Sequence, residues 1–218
     1  LHVAKYNNKF SIKIFLCFYL TFLIWNIIAT SWLYYASLGG VLFAVLVNSL
    51  LMTIVFSLFF IVSKKINSKL SLIFLVSFWL CFEKFHLVWD FSWPWLNIGN
   101  VFSEKTEWIQ WYEYTGSFGG TLWVLLTNIL IYKVFLSTIY NEKPRLLIVS
   151  VILVIIVPIT ISKIILYNLD LEEDPIDVFI IQPNIDPYSE KYTRTDKDNY
   201  HYVHDLLEEN SIKNSTII

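Results

Sequence analysis

The chain has 218 residues, of which 56% are hydrophobic and 18% aromatic, and its mean hydropathy is +0.56. This composition excludes an ordinary soluble domain and indicates a polytopic membrane protein. The formal net charge is −2 and there is no basic cluster, so nothing indicates nucleic-acid binding. Cys17 and Cys81 lie inside apolar runs, which argues against a disulfide framework.

Five apolar runs are each long enough to cross a hydrocarbon core of about 30 Å as a helix. The predicted spans cover residues 12–34, 41–62, 70–88, 117–136 and 146–167. We therefore predict a transmembrane helical domain over residues 1–169 and a second, more polar domain over residues 170–218. Because the chain begins with Leu1 rather than Met, we also expect a fragment.

Glycine and proline mark two places in these spans. Gly116, Gly119 and Gly120 stand at the start of the fourth span, where small residues predict a close approach between helices. Pro158 predicts a kink in the fifth span.

The third span ends in charged residues. Glu83, Lys84 and His86 occupy its last turns and Asp90 follows. Charges at membrane depth are costly unless they are paired or close to the interface. Two interpretations stay open: an interfacial helix end in which Lys84 pairs with Glu83 or Asp90, or a functional role for these residues.

The loop over residues 91–114 is dense in tryptophan and tyrosine, which favour the headgroup level of a membrane. An interfacial aromatic belt explains this composition. A sharper hypothesis is a rigid shelf that holds a lipid headgroup. Its residues would be Trp93, Trp95, Trp111 and Glu113.

Lysine and arginine predict the orientation. They cluster before the first span, after the second and after the fourth, and they are nearly absent from the other links. Since positive residues stay in the cytoplasm, the chain enters from the inside and emerges outside after five crossings.

The segment after residue 170 shows the pattern of a soluble α/β domain. Residues 178–181 predict a buried strand that ends in a turn at Gln182, Pro183 and Asn184. Residues 196–210 predict a helix, and residues 215–218 predict the start of a second strand, so a βαβ unit begins here. His201 and Asp205 share a helix face, but no further metal ligand is visible and we predict no metal site.

Four blocks in this order resemble apolipoprotein N-acyltransferases, particularly the Bacteroidetes versions. The blocks are WNIIATSWLYYASLGG at 25–40, WDFSWPWLNIGN at 89–100, WIQWYEYTGSFGGTLWVLLTN at 108–128 and IIQPNIDPYSEKY at 180–192. Together they cover nearly the whole chain, and no single block would be specific.

The resemblance implies a multi-pass enzyme of the bacterial inner membrane that acts in lipoprotein maturation. Such an enzyme transfers an acyl chain from a phospholipid to the N-terminal S-diacylglyceryl cysteine of an apolipoprotein. The implied partners are the phospholipid donor, the apolipoprotein acceptor and membrane lipids, with no cofactor. Residues 170–218 would begin a nitrilase-like (carbon–nitrogen hydrolase) α/β domain in the periplasm and leave it incomplete.

The resemblance also locates functional residues. The family's catalytic glutamate, lysine and cysteine have no counterpart in this sequence and are expected beyond Ile218, so the chain alone is expected to be inactive. Tyr192 matches an aromatic residue that guards the active-site entrance, and Gln182 and Asn184 match a turn that positions the domain. A purely structural role for all three stays open.

Two other hypotheses stay open. The first is a transporter or structural membrane protein with a small outer cap, in which Glu83 and Lys84 would mark a pathway. The second is a stand-alone pseudoenzyme.

Overall fold

The computed structural model describes residues 9–35, 37–169, 180–186, 190 and 193–209, and the side chains only to residue 207 within the last range. The chain divides into two compact units, Leu1–Leu169 and Asp170–Ile218.

The first unit contains five helices that are long and apolar enough to cross a membrane. They are α1 (Ile12–Thr30), α2 (Leu38–Ser63), α3 (Ser68–Val88), α4 (Tyr112–Ile139) and α5 (Arg145–Tyr167). A 3₁₀ turn, Ser31–Tyr35, extends α1. The predicted helical membrane architecture with about five spans is therefore confirmed. Short polar caps begin two of the helices, since Ser37 Oγ accepts from Gly40 N at 3.2 Å and Asn67 Oδ1 accepts from Leu70 N at 2.9 Å.

Aromatic side chains hold α1, α2 and α3 together. Phe22, Met52 and Trp79, one from each helix, are buried in a common cluster, and Phe56 lies edge-on to Trp79 with the ring centroids 5.8 Å apart. A polar pair crosses the same region, where Asn48 Nδ2 donates to Asn26 Oδ1 at 2.7 Å. Such bonds between membrane helices fix their register as well as their contact.

Helices α4 and α5 are joined at a gap in the hydrogen bonding of α5. Pro158 lies inside α5 and has no N–H, so the carbonyl of Val154, four residues earlier, has no partner in its own helix. Trp123 on α4 supplies the missing donor, because its Nε1–H donates to Val154 O at 2.6 Å.

The glycines at the start of α4 act differently from the prediction. Gly116 has φ 64° and ψ −173°, so it interrupts the helix near its beginning. At Gly120 an added Cβ would lie 3.1 Å from Gly99 Cα, which belongs to the preceding loop. The close approach is therefore between a helix and a loop, rather than between two helices.

The second unit contains one described helix, α6 (Asp196–Glu209). Thr195 and Asp198 cap its start reciprocally: Thr195 Oγ1 donates to Asp198 Oδ2 at 2.7 Å, and Asp198 N donates to Thr195 Oγ1 at 3.2 Å. Residues 180–186 form no strand. Val178, Phe179 and the predicted second strand at 215–218 lie outside the described residues.

Candidate lipid-facing site

The loop between α3 and α4 lies at one end of the helices, where α1 ends, α2 begins, α3 ends and α4 begins. We call this end the loop end. Between residues 89 and 111 the chain forms three short 3₁₀ turns, Pro94–Leu96, Ile98–Phe102 and Thr106–Trp108. The hydrogen bonds within these turns join residues close in sequence, so the position of the loop against the helices depends on longer-range contacts.

Glu83 is the main anchor. The side chain is 1% exposed and accepts three hydrogen bonds: from Trp79 Nε1 to Oε1 at 3.1 Å, from Ile98 N to Oε1 at 2.8 Å and from Thr121 Oγ1 to Oε2 at 2.6 Å. The carboxyl group therefore joins α3, the loop and α4 at one point. Donors on both oxygens satisfy a polar group that burial would otherwise make costly.

This arrangement decides between the two interpretations of the charged helix end. Glu83 is buried within the protein while Lys84, the next residue on the helix, is exposed. Within the described part of the chain, no ion pair joins Lys84 to Glu83 or Asp90. The pairing interpretation was therefore wrong for both partners. For Glu83 the reason is that consecutive residues on a helix point to different sides. A pathway marked by Glu83 and Lys84 together finds no support in this geometry.

Gly99 brings the loop against α4. Its N–H donates to Thr121 Oγ1 at 2.9 Å, and its carbonyl accepts from the Tyr112 hydroxyl at 2.9 Å. A Cβ at position 99 would collide with the carbonyl oxygen of Ser117. The loop can therefore lie this close to α4 only with glycine at position 99.

A second anchor ties the loop to α5. Ser162 is fully buried, and its Oγ donates to the carbonyl oxygen of Trp108 at 2.7 Å. Trp111 Nε1 donates to the same carbonyl at 3.2 Å. Glu83 and Ser162 thus fix the two halves of the loop to different helices.

The four residues of the predicted shelf occupy different surroundings. Trp95 is 58% exposed and lies edge-on to Trp32, with the centroids 5.8 Å apart. Trp93 is half-buried, and its backbone N–H donates to His86 O at 3.2 Å. Trp111 packs edge-on against Trp123 at 5.8 Å, and Glu113 is exposed. Within the described loop no ring contact joins Trp111 to Trp93 or Trp95, so the shelf as a single surface stays a prediction.

The predicted turn of the second unit is only partly described. Gln182 and Asn184 are exposed, and Asn184 adopts a left-handed conformation with φ 51°. Between them, the carbonyl of Pro183 accepts from the Tyr202 hydroxyl of α6 at 3.2 Å. Tyr192 lies outside the described residues. The positioning role of these three residues stays a prediction.

Sequence reasoning missed Thr121, Gly99 and Ser162. Thr121 follows Gly119 and Gly120, and a hydroxyl beside two glycines in an apolar helix is a signal for a polar contact at a close approach. Ser162 offered a weaker signal of the same kind. Gly99 offered none, because a glycine in an irregular loop has many explanations.

Comparison with known proteins gives two matches. A family model described as apolipoprotein N-acyltransferase N-terminal domain matches residues 1–130. A protein of Chlorobaculum tepidum, named apolipoprotein N-acyltransferase, is 28% identical over 173 residues, which are 78% of this chain and 32% of the relative. The chain thus spans about a third of the length of that relative. No solved structure matches the chain significantly.

Proposed function

Because the chain belongs to the apolipoprotein N-acyltransferase N-terminal domain family, we propose that it forms the membrane part of an enzyme that acylates apolipoproteins. The donor is a phospholipid, and the acceptor is the α-amino group of the S-diacylglyceryl cysteine at the N-terminus of an apolipoprotein. The named relative supports this proposal across most of the chain.

The chemistry is a transfer in two steps. A cysteine thiolate attacks the phospholipid ester, forms a thioester and releases a lysophospholipid. The acceptor amine then attacks the thioester, forms an amide and regenerates the thiol. By the family resemblance, a glutamate base and a lysine assist the cysteine. We assign all three to residues outside this chain, and we therefore expect residues 1–218 alone to be inert.

The role of this chain is to position the two lipid substrates at the membrane surface. Both substrates are anchored in the membrane, so the reacting groups meet at headgroup height and the surfaces that receive them must be rigid there. One observation carries this role: the buried Glu83 ties the aromatic loop to α3 and α4 through three hydrogen bonds. Trp93, Trp95, Trp111 and Glu113 present the lipid-facing surface of this loop. Gln182, Asn184 and Tyr192 position the domain that begins at residue 170.

Charge supports the membrane orientation. Lys64, Lys65 and Lys69 flank the link between α2 and α3, and Lys143 and Arg145 flank the link between α4 and α5. Both links lie at the end opposite the loop end. We therefore propose that the loop end faces the periplasmic side of the inner membrane and that the nitrilase-like domain beginning at residue 170 is periplasmic.

The test compares the whole gene product with residues 1–218, each reconstituted in phosphatidylethanolamine vesicles with a synthetic S-diacylglyceryl-cysteine peptide. The whole product should add one acyl group to the peptide, seen by mass spectrometry, and release lysophospholipid in equal amount. Residues 1–218 should form neither product. Acylation by residues 1–218 would overturn the catalytic assignment, and a whole gene product that forms no amide would overturn the enzyme proposal.

A further inference from the structure

A cavity of about 220 Å³ lies at the loop end between α2, α3 and the start of the loop. Gly40, the third residue of α2, and His86, the third residue from the end of α3, both line it. The cavity therefore lies at the ends of the spans, at the depth where headgroups and lipid esters meet the hydrocarbon. Its walls do not include the Glu83 hydrogen-bond network.

Two buried donors at this cavity have no partner among the described residues. His86 is 3% exposed, and its Nδ1 accepts from Trp89 Nε1 at 3.2 Å. An accepting Nδ1 places the imidazole proton on Nε2. Neither His86 Nε2 nor Trp93 Nε1 then finds an acceptor in the described chain, and both residues line the cavity. Buried N–H groups without partners are rare and costly, so the pair calls for an acceptor from outside the chain.

The lining indicates which acceptor fits. No lysine or arginine lines the cavity, so a phosphate or a carboxylate would be buried there without a counter-charge. Ala44 and Val47 form part of the wall. Phe43 and Phe91 stand at the outside, 48% and 59% exposed, with their rings 5.3 Å apart. The site thus combines two unpartnered N–H donors, the neutral polar side chains of Asn48 and Ser92, an apolar wall and an exposed aromatic rim.

We propose that this cavity binds a carboxylic ester of a glycerolipid. The ester carbonyl oxygen accepts from His86 Nε2–H and Trp93 Nε1–H, and the first methylenes of the acyl chain lie against the outer faces of Phe43 and Phe91, whose rings already touch each other. The volume suits an ester group with a few methylenes, being several times the roughly 30 Å³ that one water occupies. The site binds lipid whether or not the protein transfers acyl chains.

The test removes the ester carbonyl from the lipid. The whole gene product is equilibrated in mixed micelles that contain equal amounts of a diester phosphatidylethanolamine and its diether analogue. Native mass spectrometry then identifies the bound lipids by their mass. Diether lipid keeps the headgroup and chains but has no carbonyl. Two hydrogen bonds predict a diester preference of several-fold to about tenfold.

Substitutions test whether the preference for diester lipid arises at this cavity. His86→Leu and Trp93→Phe should each reduce it, while His86→Gln, whose amide can both accept from Trp89 and donate to the ester, should keep most of it. Trp108→Phe removes an indole outside the cavity and should leave the preference unchanged. Binding of the diether lipid monitors folding in every sample. If His86→Leu does not fold, the comparison of His86→Gln, which should keep the diester preference, with Trp93→Phe, which should reduce it, still tests the proposal.

Equal binding of diester and diether lipid by the unaltered protein would overturn the proposal, because it would show that no donor pair recognises the ester carbonyl. A diester preference that survives both His86→Leu and Trp93→Phe would also overturn it, by placing the ester elsewhere. A parallel arm with S-diacylglyceryl-cysteine peptide shows whether the ester comes from the phospholipid or from a lipoprotein. These measurements record lipid binding and not acyl transfer. A diester preference can therefore be found even if the acylation test is negative, and acylation can be found even if there is no diester preference.

Discussion

Thr121 and Glu83 lie 38 residues apart in the chain, yet the hydroxyl of Thr121 donates to Glu83 Oε2 at 2.6 Å inside the protein. The bond links α4 to α3, and the same hydroxyl accepts from Gly99 N of the intervening loop. The packing of α3, α4 and the loop between them therefore depends on the Glu83 carboxyl group and the Thr121 hydroxyl group.

Replacing Glu83 by leucine should destabilise the protein by about 3 kcal/mol or more, because three buried donors lose their acceptor together. Glu83→Gln should cost less, since the amide oxygen can still accept from Trp79 and Ile98 while the amide nitrogen meets the Thr121 hydroxyl. Thermal unfolding in detergent, followed by tryptophan fluorescence, measures both. Glu113→Gln, at an exposed position, is the control and should be neutral. Equal stabilities of Glu83→Leu and the unaltered protein would contradict the anchoring role.

Gly99→Ala should destabilise the loop by about 1–3 kcal/mol, because its methyl group would meet the carbonyl oxygen of Ser117 and the loop would have to move away from α4. Gly39→Ala is the matched control, since nothing lies within 4 Å of a Cβ added there. Limited proteolysis within residues 89–111 should become faster for Gly99→Ala alone. Identical cleavage of the two alanine variants would show that the loop does not need glycine at position 99.

Trp123→Phe should cost about 1–2 kcal/mol, since it leaves the Val154 carbonyl without a donor at membrane depth. Pro158→Ala gives position 158 an N–H that can restore the bond within α5. The loss caused by Trp123→Phe should therefore shrink in the Pro158→Ala background. A double-mutant cycle of unfolding free energies measures this coupling, and strictly additive effects would show that the indole N–H does not replace the missing helix bond.

Acid should weaken the start of α6. Hydrogen bonds from the Thr195 side chain and backbone hold the pKa of Asp198 below its usual value of 3.8. Because the folded pKa is the lower one, the stabilisation is complete above the unfolded pKa and disappears as the pH falls through the folded pKa. Amide hydrogen exchange in the first turn of α6, corrected for the intrinsic rate, should become less protected over that range. In Asp198→Asn this pH dependence should vanish, whereas Asp196→Asn should keep it.

The sequence predicted the helical part of the fold well because the thickness of a bilayer dictates the length of an apolar run. It also identified Glu83 as unusual, since a carboxyl group in a span needs an explanation. It did not identify the partners Ile98 and Thr121, because they meet Glu83 only when the loop folds back against α3 and α4. The same limit applies to Trp111, which the sequence analysis grouped with Trp93 and Trp95 but which packs against Trp123 of α4.

Pro158 has a mechanical consequence for the motion of α4 and α5 relative to each other. The carbonyl of Val154 in α5 accepts its hydrogen bond from Trp123 in α4. Turning either helix about its long axis would break this bond and leave the carbonyl without a donor in hydrocarbon. We therefore expect α4 and α5 to rotate or tilt together, as one unit. Separating α4 from α5 at this level would therefore break the bond from Trp123 to Val154.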